Sequence, residues 1–368
     1  MASSSRPPEF SAFLASATGC FVPGRSESPV NTAKFLALAE SMVCFATDSL
    51  SLSPALVHKV EILSAGMRSV VLRVGCANEE QSGVIVKFFR RKDGASNSGG
   101  FGYLREKHGL KCLNLLGNQK DSIPSFSRGY ASNDSLRMFL IEDVPGIPLA
   151  EGLFSPERAL LALECWVDFW IRQLTSPAQS SAQEYFRELI QRADPLAKNP
   201  GSLTSPRLVF KGLEKYGALR GLNPDSLKAR ELRGQISQVL APTESSQLVL
   251  TSGDFSPHNL LWDCTEHTVR GIDAEGSAIH HQFLPLAELL LGFPSAPHYP
   301  RYMNHLSEKQ WLAQGLRLYQ AMSPDTPESV SAMMQDSTLR AAVITVICTL
   351  AEQGQTVSLP RFFRDDLL

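Results

Sequence analysis

From residue 59 to residue 89 the chain reads as short β-branched runs, "KVEILSAG", "SVVLRVGC" and "GVIVKFF", each ended by glycine or turn residues. That pattern predicts a three-strand antiparallel meander. The segment "FGYLREKHGLKCLNLLG" carries Leu104, Leu110 and Leu113 at helical spacing and stops at Gly117, a residue suited to a helix end. Two further runs, "SIPSFSRGYA" and "LRMFLIEDV", add strands, so a five-stranded sheet with one helix is expected up to about residue 144. "PGIPLAEG" at 145–152 breaks the pattern, and long helical repeats such as "SPERALLALECWVDFWIRQL" follow it. Upstream, "NTAKFLALAESMVCFA" predicts a helix capped by Asn31 or Thr32, after a Ser-, Pro- and Gly-rich arm over 1–30. The expected class is α+β. The boundaries drawn are 1–50 for arm and helix, 51–146 for the sheet-bearing lobe and 147–368 for a larger, mainly helical lobe.

One stretch interrupts the helical half: "TSGDFSPHNLLWDCTEHTVRGIDAEG", residues 251–276. "LVL", "NLLW" and "VRGID" read as strands in a hairpin-like arrangement, which sets Asp254, Asn259 and Asp273 at strand ends around one cleft. Two carboxylates and a carboxamide suit phosphoryl transfer, where the protein must hold Mg²⁺, neutralise phosphate charge and orient a hydroxyl. In this scheme Asp254 orients the attacking hydroxyl and takes its proton, while Asn259 and Asp273 offer oxygens to the metal. The turn "SAGMRS" lets backbone approach phosphates at Gly66. Lys87 in "VIVKFF" supplies positive charge to the α- and β-phosphates, and Glu106 pairs with it.

These residues, in this order, resemble the aminoglycoside phosphotransferase and choline kinase family, which is similar in fold to eukaryotic protein kinases. The likeness rests on "GDFSPHNLL", "GIDAEG", "VIVKFF", "REKHGLKCL" and "FLIEDVPGIPL", spread over about residues 59–292. It implies a bilobal protein-kinase-like fold. It also implies ATP or GTP as donor, Mg²⁺, and a hinge where the backbone of Glu142 to Val144 meets the adenine edge. Many members carry a histidine two residues before the catalytic aspartate; here the position is Ser252, whose hydroxyl can take over part of that support. A protein kinase is disfavoured, because the apolar pattern "FLPLAELLLG" at 283–292 follows Asp273 too soon for a long activation segment. The alternative is a nucleotide-binding pseudokinase with a scaffold or regulatory role. Retention of Lys87, Asp254, Asn259 and Asp273 together favours catalysis. The acceptor stays open among antibiotic, amino alcohol, sugar and biosynthetic intermediate.

Composition narrows the partners. The 368 residues, 43% of them apolar, are enough for a large core in two lobes, and a net charge of −2 without a basic run argues against nucleic acid. Seven cysteines stand singly, as in a cytoplasmic protein with reduced thiols. The apolar run "AAVITVICTLA" at 341–351 is too short for a membrane span of about 20 residues and reads as a buried helix. His258, His280 and His281 lack the spacing of a zinc site and are assigned structural roles. Trp166, Phe169 and Trp170 fall at helical steps and read as core, Glu157, Glu164 and Asp168 as solvated helix faces. Nothing in the pattern indicates an oligomeric state.

Overall fold

The computed structural model describes residues 32–53, 56–65, 68–76, 83–90, 102–117, 124–195, 206–242, 245–323, 329–355, 360 and 362. The chain divides into two compact units, Met1–Asp93 with Ser127–Val144, and Gly94–Phe126 with Pro145–Leu368.

In the first unit, helix α1 (Thr32–Ser49) precedes strands β1 (Val57–Ala65), β2 (Ser69–Cys76) and β3 (Val84–Phe89), and later β4 (Gly129–Asn133) and β5 (Met138–Glu142). They form the expected five-stranded sheet in the order β1-β2-β3-β5-β4, antiparallel throughout. Because side chains alternate across a strand, each face has its own composition. On one face Val70, Leu72, Val74, Val84, Val86, Met138 and Leu140 meet Phe35, Ala39, Met42, Val43 and Ala46 of α1. The α1 residues recur every three or four positions, the stripe by which a helix covers a sheet. Each large apolar side chain withdrawn here contributes about 1.5–3 kcal/mol. On the other face the register aligns Val71 with Lys87 and Lys87 with Phe139, and in the next row Glu61, Arg73, Ile85 and Ile141.

The helix covering this sheet is therefore α1. Helix α2 (Tyr103–Leu113), expected in the sheet-bearing lobe, groups with the second unit. Its buried residues include Arg105, Glu106 and Gly109, whose partners are backbone and side-chain atoms of residues 274–277.

The second unit continues with β6 (Ile147–Pro148), α3 (Leu149–Leu153), α4 (Ala159–Leu174), α5 (Gln179–Ala193), α6 (Pro206–Leu219) and α7 (Leu227–Leu240). Then come β7 (Leu248–Thr251), β8 (Leu260–Asp263), β9 (Thr268–Gly271) and β10 (Ala278–His281). Helices α8 (Leu284–Leu290), α9 (Glu308–Met322), α10 (Val330–Gln335) and α11 (Ser337–Glu352) complete it. Trp166, Phe169 and Trp170 are fully buried on α4, as core. Glu164 and Asp168 are tied to α9, the first accepting from Gln314 at 3.5 Å and the second paired with Arg317. No described helix is long and apolar enough to cross a membrane. Cys44, Cys112, Cys165, Cys264 and Cys348 are free thiols.

Helix α11 is buried at almost every position from Leu339 to Leu350, and it packs against α6, α7 and α8. A Cβ at Gly212 of α6 would lie 1.8 Å from the Cys348 carbonyl oxygen, so the two helix backbones approach closely only because that position is glycine. Gly212→Ala is expected to lower the stability of this unit by about 1–3 kcal/mol or more through overpacking, read as a fall in unfolding midpoint.

Candidate active site

Strand β7 is the foundation of the site. It pairs with β10, Thr251 opposite Ala278, and its outer edge is occupied by glutamines of α5. Gln179 donates to the Leu250 carbonyl at 3.1 Å and accepts from the Leu250 amide at 2.8 Å, and Gln183 donates to the Leu248 carbonyl at 2.8 Å. The sequence pattern suggested a hairpin between "LVL" and "NLLW". Those strands lie in different sheets: β8 pairs with β9 and β6. With β10 on one edge and amide side chains on the other, β7 has its ladder groups satisfied without β8.

This pairing draws the two acidic loops together. The chain leaves β7 at Thr251 and reaches β10 at Ala278, directly opposite, so residues 252–254 run beside 274–277. At Gly253 the backbone takes φ +74, and a Cβ there would sit 1.8 Å from the Gly276 carbonyl oxygen. Ser252 is buried, and its hydroxyl donates to the Asp254 carbonyl at 3.1 Å, which supports the loop. The Asp254 carboxylate accepts from the Ser256 amide at 2.9 Å, a local turn that sets its orientation. A short 3₁₀ turn over Pro257–Asn259 follows, with the Ser256 hydroxyl accepting from the His258 amide. Asn259 directly precedes β8, and its carbonyl accepts from the Ile272 amide at 3.0 Å, which brings it alongside Asp273 just beyond β9. Asp273 in turn accepts from the Glu275 amide at 3.0 Å. Asp254, Asn259 and Asp273 are all half-buried.

Helix α2 braces the second loop. Glu106, fully buried, accepts from the Ala274 amide at 3.1 Å, and Arg105 donates to the Ser277 carbonyl at 2.6 Å. Gly109 lies where a Cβ would meet the Ser277 hydroxyl at 2.0 Å. Of the remaining sequence-derived positions, Lys87, Glu142 and Val144 belong to the first unit. Lys87 sits in mid-β3, Glu142 ends β5 with its carboxylate accepting from the Arg128 amide at 3.1 Å, and Val144 is buried. Gly66 lies outside the described residues.

His280 and His281 are engaged by their immediate neighbours. His280 is bound through Nε2 to the Thr251 hydroxyl, and Nδ1 of His281 accepts from the Phe283 amide at 3.2 Å. Burial holds both well below the usual imidazole range, at about 4; for His280 the Arg105 charge adds to it. Among the described residues no cluster of three or more His, Cys, Asp or Glu could hold a metal by itself.

Two residues that feel the Asp254 charge escaped the sequence pattern. Glu288, in the helix read only as apolar, is buried and accepts from the Ser295 hydroxyl at 2.6 Å. Burial, followed by the field of Asp254, pushes its carboxyl up to about 7. Tyr302 is fully buried, donates to the Pro297 carbonyl at 2.5 Å and also feels Asp254. A lone acid inside an apolar helix was the available signal for Glu288; Tyr302 had none.

This arrangement of a mixed sheet-and-helix unit followed by a mainly helical one is the protein-kinase-like fold. The structure is similar to an ethanolamine kinase from Plasmodium vivax, with a TM-score of 0.53 and 14% identity over 96% of this chain and 91% of that one. It is also similar to a thermostable mutant of the aminoglycoside phosphotransferase APH(4)-Ia, solved with ADP and hygromycin B, with a TM-score of 0.50 and 11% identity over 85% of this chain and 91% of that one. No protein-family model and no curated protein sequence matches the chain.

Glu288 also makes the site pH-sensitive in a defined direction. Its folded value of about 7 lies above the ordinary 4.5, so its contribution to stability is complete below pH 4.5 and is lost as pH rises through about 7. Glu288→Gln should remove that slope. In thermal unfolding between pH 4.5 and pH 7, the melting temperature of the variant is expected to gain on wild type as pH rises.

Proposed function

We propose that the chain is a magnesium-dependent phosphotransferase that moves the terminal phosphoryl group of ATP or GTP to a hydroxyl of a small molecule. The observation that carries this reading is the joining of two acidic loops, with the Gly253 backbone against Gly276 and the Asn259 carbonyl bonded to the Ile272 amide. They gather Asp254, Asn259 and Asp273 from the loops on either side of the β8–β9 hairpin. The fold likeness to small-molecule kinases supports it.

The donor set fits Mg²⁺. That ion takes oxygen ligands and is commonly held by one or two carboxylates together with substrate phosphates, without a full protein cage. Asp273 and Asn259 supply such oxygens, and the lack of a self-sufficient cluster among the described residues accords with a metal shared with nucleotide. When bound, the ion neutralises phosphate charge. Asp254, its carboxylate oriented by the Ser256 amide, positions the acceptor hydroxyl and takes its proton.

The nucleotide assignments follow the same reading. Lys87 shares its face of the sheet with the apolar residues Val71, Ile85, Phe139 and Ile141, a surface suited to a flat base beside a charged tail. Lys87 takes the α- and β-phosphates, Gly66 permits close backbone approach, and Glu142 and Val144 present backbone to the base. The transferred group leaves as a phosphate ester of the acceptor, with the nucleoside diphosphate as second product.

The two aspartates are expected to differ. Asp254→Asn should lower turnover by about 10²–10⁴-fold with near-normal nucleotide affinity, whereas Asp273→Asn should weaken metal–nucleotide binding along with turnover. Calorimetric binding of Mg²⁺–nucleotide, paired with diphosphate release across a panel of hydroxylated antibiotics, amino alcohols and sugars, reads both. Full turnover in both variants would remove this site from the chemistry.

A further inference from the structure

The face of the sheet that carries Lys87 also carries an ion network that the proposed reaction does not use. Arg73 on β2 pairs in register with Ile85, two residues before Lys87 on β3, so its side chain rises from the Lys87 face. Asp143 follows Ile141 by two residues at the end of β5 and continues the same face. Between them the contact is bidentate: Nε of Arg73 donates to Oδ2 of Asp143 at 2.8 Å and Nη2 to Oδ1 at 3.2 Å. The guanidinium also binds Glu61 of β1 at 3.3 Å, and Lys59 reaches the same carboxylate at 3.3 Å.

Strand β3 lies between β2 and β5, so this pair must cross it. The Asp143 carboxylate lies beside Gly83, the residue before β3, where a Cβ would sit 3.3 Å from Oδ2 of Asp143 and 3.2 Å from the Val74 carbonyl oxygen. A side chain there would crowd the carboxylate. The Asp143 side chain is only 16% exposed, so loss of the guanidinium would leave a mostly buried carboxylate without its fork of donors. Asp143 stands between Glu142 and Val144. Glu142 is itself fastened, its amide donating to the Arg128 carbonyl at 2.9 Å and its carboxylate accepting from the Arg128 amide.

We propose that Arg73 and Asp143 are a positioning pair that holds the backbone of residues 142–144 in the conformation that receives the nucleotide base, so that nucleotide affinity depends on an arginine two strands away. The inference rests on the nucleotide-binding reading above. An arginine fork is required because a lysine would keep the charge without the two parallel bonds.

The test compares full-length wild type with Arg73→Met, Arg73→Lys, Asp143→Asn and the exchanged double variant Arg73→Asp/Asp143→Arg, using Mg²⁺–ATP and Mg²⁺–GTP as probes. Calorimetric Kd, KM for nucleotide, kcat and melting temperature are measured for each. Arg73→Met and Asp143→Asn are expected to raise nucleotide Kd and KM about two- to fivefold, the range of a partly exposed ion pair, while kcat at saturating nucleotide changes less. Arg73→Lys should behave like Arg73→Met, and the exchanged pair should recover part of the affinity. Unchanged Kd in Arg73→Met with normal binding by wild type overturns the positioning role alone. A fall in kcat equal to the rise in KM, or a Kd change that the exchanged pair leaves unrepaired, also overturns it. Absence of nucleotide binding by wild type overturns the reading of the site, and this inference with it.

Discussion

The close approach of two backbones at Gly253 and Gly276 is the constraint on which the site depends. A Cβ at residue 253 would stand 1.8 Å from a carbonyl oxygen, and φ there is +74, a conformation that side chains other than glycine rarely adopt. Both conditions admit glycine. Because the contact is made between main chains, Asp254 and the Asp273–Ser277 loop keep their spacing whatever rotamers their side chains take. The strand pair β7–β10 below it, closed on its outer edge by Gln179 and Gln183, supplies the rigid base that such a contact needs.

Around this contact the protein buries several ionisable groups, and each has hydrogen-bonding partners that offset the loss of water. Glu106 accepts a backbone amide, Arg105 donates to a backbone carbonyl and Glu288 accepts from Ser295. The Glu288 carboxyl moves up to about 7 because burial outweighs its hydrogen bonds from Ser295, with the Asp254 field adding to burial. The imidazoles of His280 and His281 move the other way for the same reason, since burial disfavours whichever form carries charge. The Asp254 and Asp273 loops are thus flanked by groups whose charges are suppressed by burial or committed to hydrogen-bond partners.

The sheet of the first unit gives its two faces different compositions. One side is given to α1 and aliphatic residues, the other to Lys87, an apolar slab and the network that ends on Asp143. Alternation along each strand makes this division possible, since a residue and its immediate neighbour never share a face. Slipping β3 by one position would put Lys87 against Met42 and Val43, which the burial of that core opposes.

Much of this was legible in the linear pattern. β-branched runs and their glycine breaks specified the first three strands, because strand formation responds to local composition and to period. The spacing of Asp254, Asn259 and Asp273 pointed to one site, since short loops between short strands leave few places for polar residues to go. The pattern did not show that "LVL" pairs with "AIHH" and not with "NLLW", because four-residue strands buried on every side carry no alternation by which to choose a partner. Nor did it show that α1 covers the sheet while α2 braces the 274–277 loop. Both helices have a buried stripe, and which surface a stripe meets is settled by packing between segments distant in sequence. The same holds for Glu288, Tyr302 and the Arg73–Asp143 pair: their chemistry arises from neighbours that only the folded chain brings within hydrogen-bonding range.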